Sequence, residues 1–367
     1  MHIIFWQNIP SFHQSAIIRA IASTPGCEVT LALQDELPKM FHDGGWLIPD
    51  FGKAILIYPG NDDDISNLIS ASGVDAVHIF NGFRFPMVRK ALLATIKTTA
   101  RIGMIAEAAD WRGFRGIARL LLYRLELFRF GSRIDFLLAM GQMGVRWYSR
   151  CGFPANKIYP FVYVVEQQTS GPCRRSSNET YRLIYVGQCI RRKGVDVLLS
   201  ALSALQSLNW HLDIVGDGPE RENLTKQAKI AGLAGKVTFH GTLQNETARQ
   251  MVAESDCLVL PSRWDGWGAV VNEALMQGVP VICSDLCGAS DLLRNPERGN
   301  FFKAGSVASL ITALEHSVYK GKRSDDIVSN ILLWSKAIEG KVVARYLLEV
   351  INGMATNKVP QPPWYDE

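Results

Sequence analysis

The stretch from Cys257 to Cys283, CLVLPSRWDGWGAVVNEALMQGVPVIC, constrains the fold of this chain more than any other stretch. It starts with an apolar run, passes through a loop rich in Gly and Trp into a helical pattern that Gly278 closes, and ends in a second apolar run. This order predicts a strand–loop–helix–strand unit of a parallel sheet. Because ligands of open parallel sheets bind at the carboxyl ends of the strands, we expect the loop to carry the chemistry.

The loop and the helix after it carry groups that suit a phosphate with a neighbouring diol. A helix that begins near Gly268 and Ala269 presents free backbone N–H groups and its dipole to an anion. Glu273 follows on the same face, roughly 6 Å along the axis, where a carboxylate repels phosphate but binds hydroxyls such as those of a ribose. Asp265 is placed to bind hydroxyls on the far side of the phosphate. The alternative is an ordinary parallel-sheet unit with a surface Asp and a surface Glu.

Length, charge and apolar content limit the class of protein. With 367 residues, 47% of them hydrophobic, and 31 Gly, the chain is long enough for two globular α/β domains. A net charge of +4 suits anionic ligands or an anionic membrane surface and is too small to indicate nucleic-acid binding. We expect neither a signal peptide nor a transmembrane helix, since a basic leader and a run of about eighteen apolar residues are both lacking.

The cysteines and acids give no sign of a disulfide framework or a metal site. Seven Cys are scattered along the chain, an odd number with several in apolar strands, so free thiols in a reducing cytoplasm are expected. No CxxC or HExxH motif occurs, and no metal site is predicted. The run Asp62-Asp63-Asp64 precedes a helix at Ile65 and is interpreted as N-cap and first-turn acids.

Strand and helix patterns alternate in both halves of the chain, which predicts an α/β fold with two Rossmann-like domains. The first half has the strands HIIFW, EVTLAL, AILIYP, AVHIF, RIGMIA and FLLAM, with helices over Ser11–Ile21, Trp111–Phe130 and Gly141–Arg150. The second half has the strands RLIYVG, HLDIVG and KVTFHG, with helices over Gly194–Leu208, Pro219–Ala231 and Asn245–Glu254. The polar segment QQTSGPCRRSSNET, which begins at Gln167, is typical of a linker.

A basic turn follows the first strand of the second half. That strand ends at Gly187, and Arg191, Arg192 and Lys193 then lead into a helix at Gly194. Cations at the carboxyl end of a strand are placed to meet phosphate, and the alternative is a solvated basic turn.

Two further strands of this half end in glycine-containing turns. Gly216 and Gly218 form the turn GDGPE, which lacks the third Gly of a dinucleotide-binding fingerprint. Gly241 ends the strand KVTFHG, where a small residue lets a flat base approach.

Four segments of the second half resemble, in their order and spacing, the motifs of glycosyltransferase family 4, the retaining transferases of the GT-B fold. The segments are VGQCIRRKG, GDGP, FHG and DGWGAVVNEALMQGVPV. The resemblance covers Tyr185 to Ser284. It implies two Rossmann-like domains that face each other across a cleft, a nucleoside-diphosphate-sugar donor and no metal or other cofactor. The implied domains are residues 1–168 for the acceptor, residues 169–340 for the donor, and a helix and tail over residues 341–367 that pack back on the first.

The resemblance also implies roles for individual residues. Lys193 would bind the donor diphosphate, helped by Arg192 and Gly187, Glu273 the ribose, and Asp265 the donor-sugar hydroxyls. The backbone that would cradle phosphate and sugar comprises Gly266, Trp267, Gly268, Ala269 and Val270. Two positions depart from the family pattern: Gln188 stands where an Arg is usual, with Arg191 or Arg192 as substitutes, and Asp265 stands where Glu is usual.

The first half departs further from the family. The loop after its first strand, Gln7 to Gln14, has no Gly, and Ser11 is expected to cap the next helix and face phosphate or acceptor. His13 is either a site group or a helix-surface residue. Glu107 stands where the family often has His.

Three groups of this half were expected near the acceptor. Glu107, Asp110 and His78 are expected to face the cleft, because each ends or follows a strand. Glu107 would position or deprotonate an acceptor hydroxyl, together with Asp265 and Lys193 as the catalytic set. The alternative is a loop acid that caps a helix.

The segment Trp111–Phe130 has an apolar and a basic side. Its apolar arc comprises Phe114, Ile117, Leu121, Leu125 and Phe128. Its basic side comprises Arg112, Arg115, Arg119 and Arg133, with Glu126 among them. The pattern suits a helix that lies on an anionic membrane and binds a lipid diphosphate, or else a core helix with a solvated basic face.

Together these features predict a retaining hexosyltransferase that uses a nucleotide-sugar, UDP-linked, to build surface polysaccharide at the cytoplasmic face of the membrane. Its expected partners are the nucleotide-sugar, a glycan or lipid-diphosphate-linked acceptor and an anionic membrane, with no nucleic acid. The alternatives are a sugar-nucleotide epimerase of the same architecture and a nucleotide-sugar-binding sensor or scaffold without transferase activity.

Overall fold

A computed structural model describes residues 1–39, 48–166, 180–353 and 359–365 of the chain. The described residues form two compact units, each with its own parallel sheet. Unit 1 comprises residues 1–39, 48–166, 337–353 and 359–365, and unit 2 comprises residues 180–336. Residues 167–179 of the predicted linker lie outside the described residues, and the predicted domain boundaries stay a prediction.

The unit-1 sheet has seven parallel strands in the order β3-β2-β1-β4-β5-β6-β7. They are β1 (His2–Gln7), β2 (Glu28–Leu33), β3 (Ile55–Ile57), β4 (Val77–Asn81), β5 (Arg101–Ala106), β6 (Phe136–Met140) and β7 (Ile158–Phe161). The unit-2 sheet has six parallel strands in the order β10-β9-β8-β11-β12-β13. They are β8 (Tyr181–Val186), β9 (Trp210–Val215), β10 (Val237–Gly241), β11 (Cys257–Leu260), β12 (Val281–Ser284) and β13 (Gly299–Phe302).

Helices connect the strands of each sheet. The described part of unit 1 contains α1 (Ser15–Ala22), α2 (Asp62–Ala71), α3 (Pro86–Thr95), α4 (Gly113–Phe130) and α5 (Gly141–Arg150). Unit 2 contains α6 (Val195–Ser203), α7 (Arg221–Ile230), α8 (Asn245–Glu254), α9 (Val270–Leu275), α10 (Val307–Lys320) and α11 (Asp325–Ser335). The last helix, α12 (Gly340–Gly353), returns to unit 1 and packs against α1. Both sheets reverse their strand order as doubly wound sheets do, and the predicted α/β class with two Rossmann-like units is confirmed.

The central strands are buried on both faces, which explains their nearly continuous apolar sequence. Ile3 to Trp6 of β1 are at most 1% exposed, and all four residues of β11 and of β12 are buried. The six cysteines in the described residues are free thiols, and Cys173 lies outside those residues.

The prediction that His78 faces a ligand site is wrong. His78 is the second residue of β4 and is fully buried, stacked beside Trp6 and Phe80. The Trp6 indole N–H donates to Nδ1 of His78 at 3.1 Å, and Nε2 lies 3.1 Å from the Ser72 hydroxyl. Both ring nitrogens are therefore used inside the fold, and burial lowers the pKa of His78 to about 4.

The starts of two helices differ from the sequence prediction. Helix α1 begins at Ser15 with Gln14 as its N-cap, so the prediction that Ser11 caps it is wrong. The carbonyl of Ser11 instead accepts from the N–H groups of Gln14 and Ser15, which forms a turn ahead of the helix. The acids at 62–64 do occupy the first turn of α2, but the N-cap is Asn61, whose side chain accepts from the N–H of Asp64.

Helix α4 presents its apolar arc to solvent. Phe114 is 78% and Phe128 is 88% exposed, and the residues between them on the same arc are 48% to 62% exposed. The face that packs inward carries Tyr123, Leu127 and Phe130 instead. The interpretation of α4 as a core helix with a solvated basic face is therefore wrong. None of the helices in the described part of the chain is long and apolar enough to cross a membrane.

Candidate functional site

The basic turn after β8 is held against the loop after β11. Residues Arg191–Lys193 form a single 3-10 turn, and Gly194 ends it with a φ of +71°. A Cβ atom at Gly194 would lie 2.1 Å from the carbonyl oxygen of Pro261, so both the backbone conformation and the close approach require Gly. The glycine after Lys193 therefore brings the cations of this turn beside the loop that follows β11.

An ion pair clamps the two loops together. The guanidinium of Arg263 binds both carboxylate oxygens of Asp196, at 2.7 and 2.6 Å, and also donates to the carbonyl of Arg191. Burial raises the pKa of Asp196 and the hydrogen bond from Arg263 lowers it, and the net direction is downward. The sequence did not indicate this pair, because its members lie 67 residues apart.

Lys193, Arg192 and Asp265 come together at the carboxyl edge of the unit-2 sheet. The Lys193 Nζ lies 2.5 Å from Oδ2 of Asp265, and an Arg192 nitrogen lies 3.6 Å from Oδ1. Arg192 also donates to the carbonyl of Trp264 at 2.9 Å, and the Ser262 hydroxyl donates to Oδ2 of Asp265 at 3.3 Å. The buried Asp265 carboxylate is thus fixed by two cations and a hydroxyl.

The loop from Asp265 to Val270 is shaped by buried side chains below it. Trp267 is 2% exposed, and its indole N–H donates to Asn272 at 2.8 Å. The Cys287 thiol donates to the Trp267 carbonyl, and a Cβ at Gly268, whose φ is +93°, would lie 2.7 Å from that sulfur. Because the Trp267 ring is buried, this residue offers a ligand its backbone only.

The acid of helix α9 pairs with a cation from helix α8. Glu273 is shielded from solvent, and its Oε1 lies 3.6 Å from a guanidinium nitrogen of Arg249. Burial raises the pKa of Glu273, and Arg249 opposes that rise. The predicted helix start near Gly268 and Ala269 agrees with the structure, in which Ala269 is the N-cap of α9. The sequence did not indicate Arg249 as a partner of Glu273, because only the fold brings helix α8 beside helix α9.

Two other predicted donor residues, Gly187 and Gly241, lie at the same sheet edge. Gly187 follows β8, and its N–H donates to the carbonyl of Val215. Gln188, at the position where the family usually has Arg, is exposed beside it. Gly241 ends β10, and a Cβ there would lie 3.3 Å from the guanidinium of Arg221, which pairs with Asp217. The space beside Gly241 is therefore shared with a cation.

The carboxyl edge of the unit-1 sheet carries a second polar group. Glu107 follows β5 and is exposed, and the Tyr163 hydroxyl donates to its carboxylate. Burial and this hydrogen bond raise the pKa of Tyr163. The His13 ring lies 5.3 Å from the Tyr163 ring, so Tyr163 connects two predicted acceptor residues. Asp110 pairs with Arg112 instead, and the Arg112 hydrogen bond lowers its pKa.

An amide relay links the ends of β1 and β4. The Gln7 amide donates to Gln14 at 2.8 Å, and the Gln14 amide donates to Asn81 at 3.2 Å. β1 and β4 are the neighbours at which the strand order reverses, the place where doubly wound sheets bind ligands. The relay was not predicted, because amides carry no charge pattern.

Of the predicted arginines near α4, Arg112 and Arg115 are exposed, and Arg112 pairs with Asp110. Arg119 donates to the Asp110 carbonyl, and Arg133 donates to the carbonyls of Ile96 and Thr98. Glu126 is buried against Arg89 and is not part of a solvated basic face. The exposed arginines that flank the arc are Arg115, Arg124 and Arg129.

No group of three or more His, Cys, Asp or Glu side chains in the described residues could hold a metal ion. Independence from metal and cofactor stays a prediction.

Comparison with known proteins relates the part of the chain that contains the first site to a known family. The family model described as glycosyl transferases group 1 matches residues 174–332. The match covers 159 of the 367 residues. The matched residues include Lys193, Asp265 and Glu273, which the structure places at the carboxyl edge of the unit-2 sheet.

Individual proteins agree with this match. The chain is 35% identical over 156 residues to the putative teichuronic acid biosynthesis glycosyltransferase TuaC of Bacillus subtilis, a match that covers 40% of this chain and 36% of TuaC. The chain spans 36% to 65% of the length of the first four curated relatives that it matches.

Solved structures match over nearly the whole chain and show the GT-B fold. The lipopolysaccharide outer core galactosyltransferase WaaB superimposes with a TM-score of 0.71 at 17% identity, over 96% of this chain and 99% of WaaB. Anabaena Alr3699/HepE in complex with UDP gives a TM-score of 0.73 at 14% identity, over 96% of this chain and all of HepE.

Proposed function

We propose that this protein is a retaining glycosyltransferase that moves a sugar from a UDP-sugar to a glycan or lipid-linked acceptor in surface polysaccharide assembly. The observation that carries the proposal is the contact between Lys193 and Asp265, 2.5 Å apart, inside the residues that the family model matches. A cation suited to diphosphate and an acid suited to sugar hydroxyls meet there at one sheet edge. The HepE structure with UDP supports a uridine nucleotide as the leaving group.

In the proposed reaction, the bond between the anomeric carbon and the diphosphate oxygen breaks, and its electron pair stays on the phosphate. Lys193 and Arg192 stabilise that developing negative charge from fixed positions. The acceptor hydroxyl oxygen forms the new bond on the same face of the sugar, and its proton passes to the departing phosphate oxygen. Asp265 holds the sugar hydroxyls, and no metal is required.

Glu273 is proposed to bind the ribose hydroxyls of the nucleotide. A carboxylate that accepts two hydroxyl hydrogen bonds must be ionised, and the Arg249 cation 3.6 Å away favours the ionised form against the cost of burial. Arg249 therefore acts as a positioning residue for the ribose contact.

The exposed face of α4 is proposed to lie on an anionic membrane at the cytoplasmic side, close to a lipid-linked acceptor. Five apolar side chains between Phe114 and Phe128 form one stripe, and Arg115 and Arg129 flank it on one side and Arg124 on the other at 100° per residue. An apolar stripe between cations is complementary to an interface in which acyl chains lie below anionic head groups.

The experiment that tests the function follows donor binding and turnover separately. Thermal unfolding with a panel of UDP- and GDP-sugars identifies the donor, since a ligand of the native state raises the unfolding temperature. Release of UDP is then measured with a polyprenyl-diphosphate-linked sugar as acceptor. We expect one UDP-sugar to stabilise the protein and to be consumed. Failure of every nucleotide-sugar to stabilise it would contradict the proposal.

A nucleotide-sugar sensor without transferase activity is the second candidate, and the exposed Gln188 in place of a phosphate-binding Arg favours it. A sensor is stabilised by the donor but releases no UDP with any acceptor. A transferase releases UDP, and that release depends on Asp265.

A further inference from the structure

Unit 2 contains a large cavity at the edge of its sheet opposite the candidate donor site. Its volume is about 580 Å³, and its walls include Tyr181, Cys257 and Gly299, which begin β8, β11 and β13. The donor residues follow the carboxyl ends of the strands, whereas this cavity lies at the amino ends. It is therefore a separate place in the unit, and its volume is that of a small-molecule site.

The inner wall of the cavity is apolar with a few fixed polar groups. Ile282 and Leu293 are buried in the wall, and Ala313 of α10 lies beside them. At the base the hydroxyls of Tyr181 and Ser317 are 2.7 Å apart. A mostly apolar wall with a small number of placed polar groups is the usual lining of a ligand pocket.

The rim of the cavity is basic. The end of α10 and the turn after it contribute Lys320, Lys322 and Arg323. The other lining cation is Arg294, which pairs with Asp291, and the lining acids are Asp256 and Glu297. The Arg323 guanidinium is buried and donates to the carbonyls of Gly278 and Ala253, at 2.6 Å each, which fixes its charge at the wall. Phe301, 54% exposed, adds a flat apolar surface at the mouth.

We propose that this cavity is a second ligand site, for a small organic anion that combines a flat apolar body with a phosphate or carboxylate. The apolar body fills the inner wall beside Ala313, and the anionic group meets Lys320 and Lys322 at the rim. Two acids also line the cavity: Asp256 accepts from the backbone N–H of Arg182, and Glu297 accepts from the Asn330 amide. The lining as a whole carries more cations than acids.

One strand connects the cavity to the loops of the candidate donor site. Strand β12 runs four residues from the cavity wall to Ser284, about 13 Å, and the Ser284 hydroxyl donates to the carbonyl of Ser262 in the Asp265 loop. An occupant of the cavity therefore touches a strand whose other end supports the donor site.

The test uses 1-naphthyl phosphate as the probe, titrated by calorimetry into the full-length protein with and without UDP. We expect one molecule of probe to bind per chain, with a Kd near or below about 1 mM both with and without UDP. A ligand with this number of non-hydrogen atoms can reach such an affinity. Inorganic phosphate alone and 1-naphthol alone are expected to bind about tenfold more weakly or not at all, because each supplies half of the recognition.

Two variants locate the probe. The double variant Lys320→Glu, Lys322→Glu is expected to weaken binding by about tenfold or more, while Lys229→Glu, an exposed lysine of α7, leaves it unchanged. Ala313→Trp fills the cavity and is expected to abolish binding. No saturable binding of the probe, or equal affinity in the double variant and the wild type, would overturn the proposal. Because both lysines lie at the surface turn, the double variant keeps the test informative if Ala313→Trp does not fold.

Discussion

The Lys193 ammonium lies 2.5 Å from Oδ2 of Asp265, so a cation from the turn after β8 and an acid from the loop after β11 meet at one point. In the proposed complex Lys193 binds the diphosphate and Asp265 binds the sugar. Two such groups in contact place the bond between sugar and phosphate beside them. The protein without a ligand thus already holds the two side chains in contact.

Replacing the cation of this pair is expected to slow turnover far more than it weakens the fold. Lys193→Met should lower the rate of UDP release by about 100-fold or more, because a fixed group at a developing charge contributes that much. The control Lys226→Met removes an exposed lysine paired with Glu222 and should keep the wild-type rate. The measurement is UDP release at saturating donor. An unchanged rate in Lys193→Met would show that this cation does not serve the leaving group.

The clamp between Arg263 and Asp196 is expected to act through the position of the basic turn. Arg263→Asp or Asp196→Arg alone should lower kcat/KM by about tenfold, and the double exchange should restore much of it, as coupled neighbours do. The readout that separates position from stability is kcat/KM at a temperature where all variants are folded. If kcat/KM of the double variant falls by the product of the two single effects, the pair does not position the turn.

The meeting of the candidate donor residues at one sheet edge could be predicted from sequence, because they lie within two short stretches. The turn before Gly194 and the loop before Glu273 each follow a strand, and parallel strands bring their carboxyl ends to one edge. Arg249 and the Asp196–Arg263 clamp could not be predicted, since they join elements distant in sequence.

The errors of prediction have equally local causes. The edge strands β7 and β13 were missed because IYPF contains a proline and GNFF begins with Gly and Asn. In α4 the periodicity identified an apolar arc but not its direction: Tyr123, Leu127 and Phe130 form a second apolar face, and that face packs inward.

The outward arc of α4 is expected to bind anionic membranes. Phe114→Ser with Phe128→Ser should reduce co-sedimentation with vesicles of phosphatidylglycerol and phosphatidylcholine by about tenfold or more, since two large apolar groups leave the interface. Ile230→Ser, which removes an 87% exposed residue of unit 2, is the matched control. Equal sedimentation of the double variant and the control would rule out α4 as the membrane surface.

The burial of His78 is expected to lower the free energy of unfolding at acid pH. Its folded pKa, about 4, lies below the ordinary 6.5, so the unfolded chain binds the proton more tightly. Above pH 6.5 the ring is neutral in both states, and its titration does not lower the free energy of unfolding. As the pH falls toward 4, the free energy of unfolding decreases by about 3 kcal/mol in all. Urea unfolding across this range should show a smaller loss in His78→Gln. An equal slope in both proteins would show that another group titrates.

Calorimetric titration of UDP tests whether unit 2 binds a uridine nucleotide through Glu273, as proposed. The wild type and Glu273→Gln are compared at neutral pH, where Gln keeps the size but cannot accept two hydroxyl hydrogen bonds as a carboxylate does. We expect saturable 1:1 binding to the wild type and a Kd raised about tenfold or more in Glu273→Gln, because a charge-assisted pair of hydrogen bonds is lost. Equal affinity of the two proteins for UDP would contradict it.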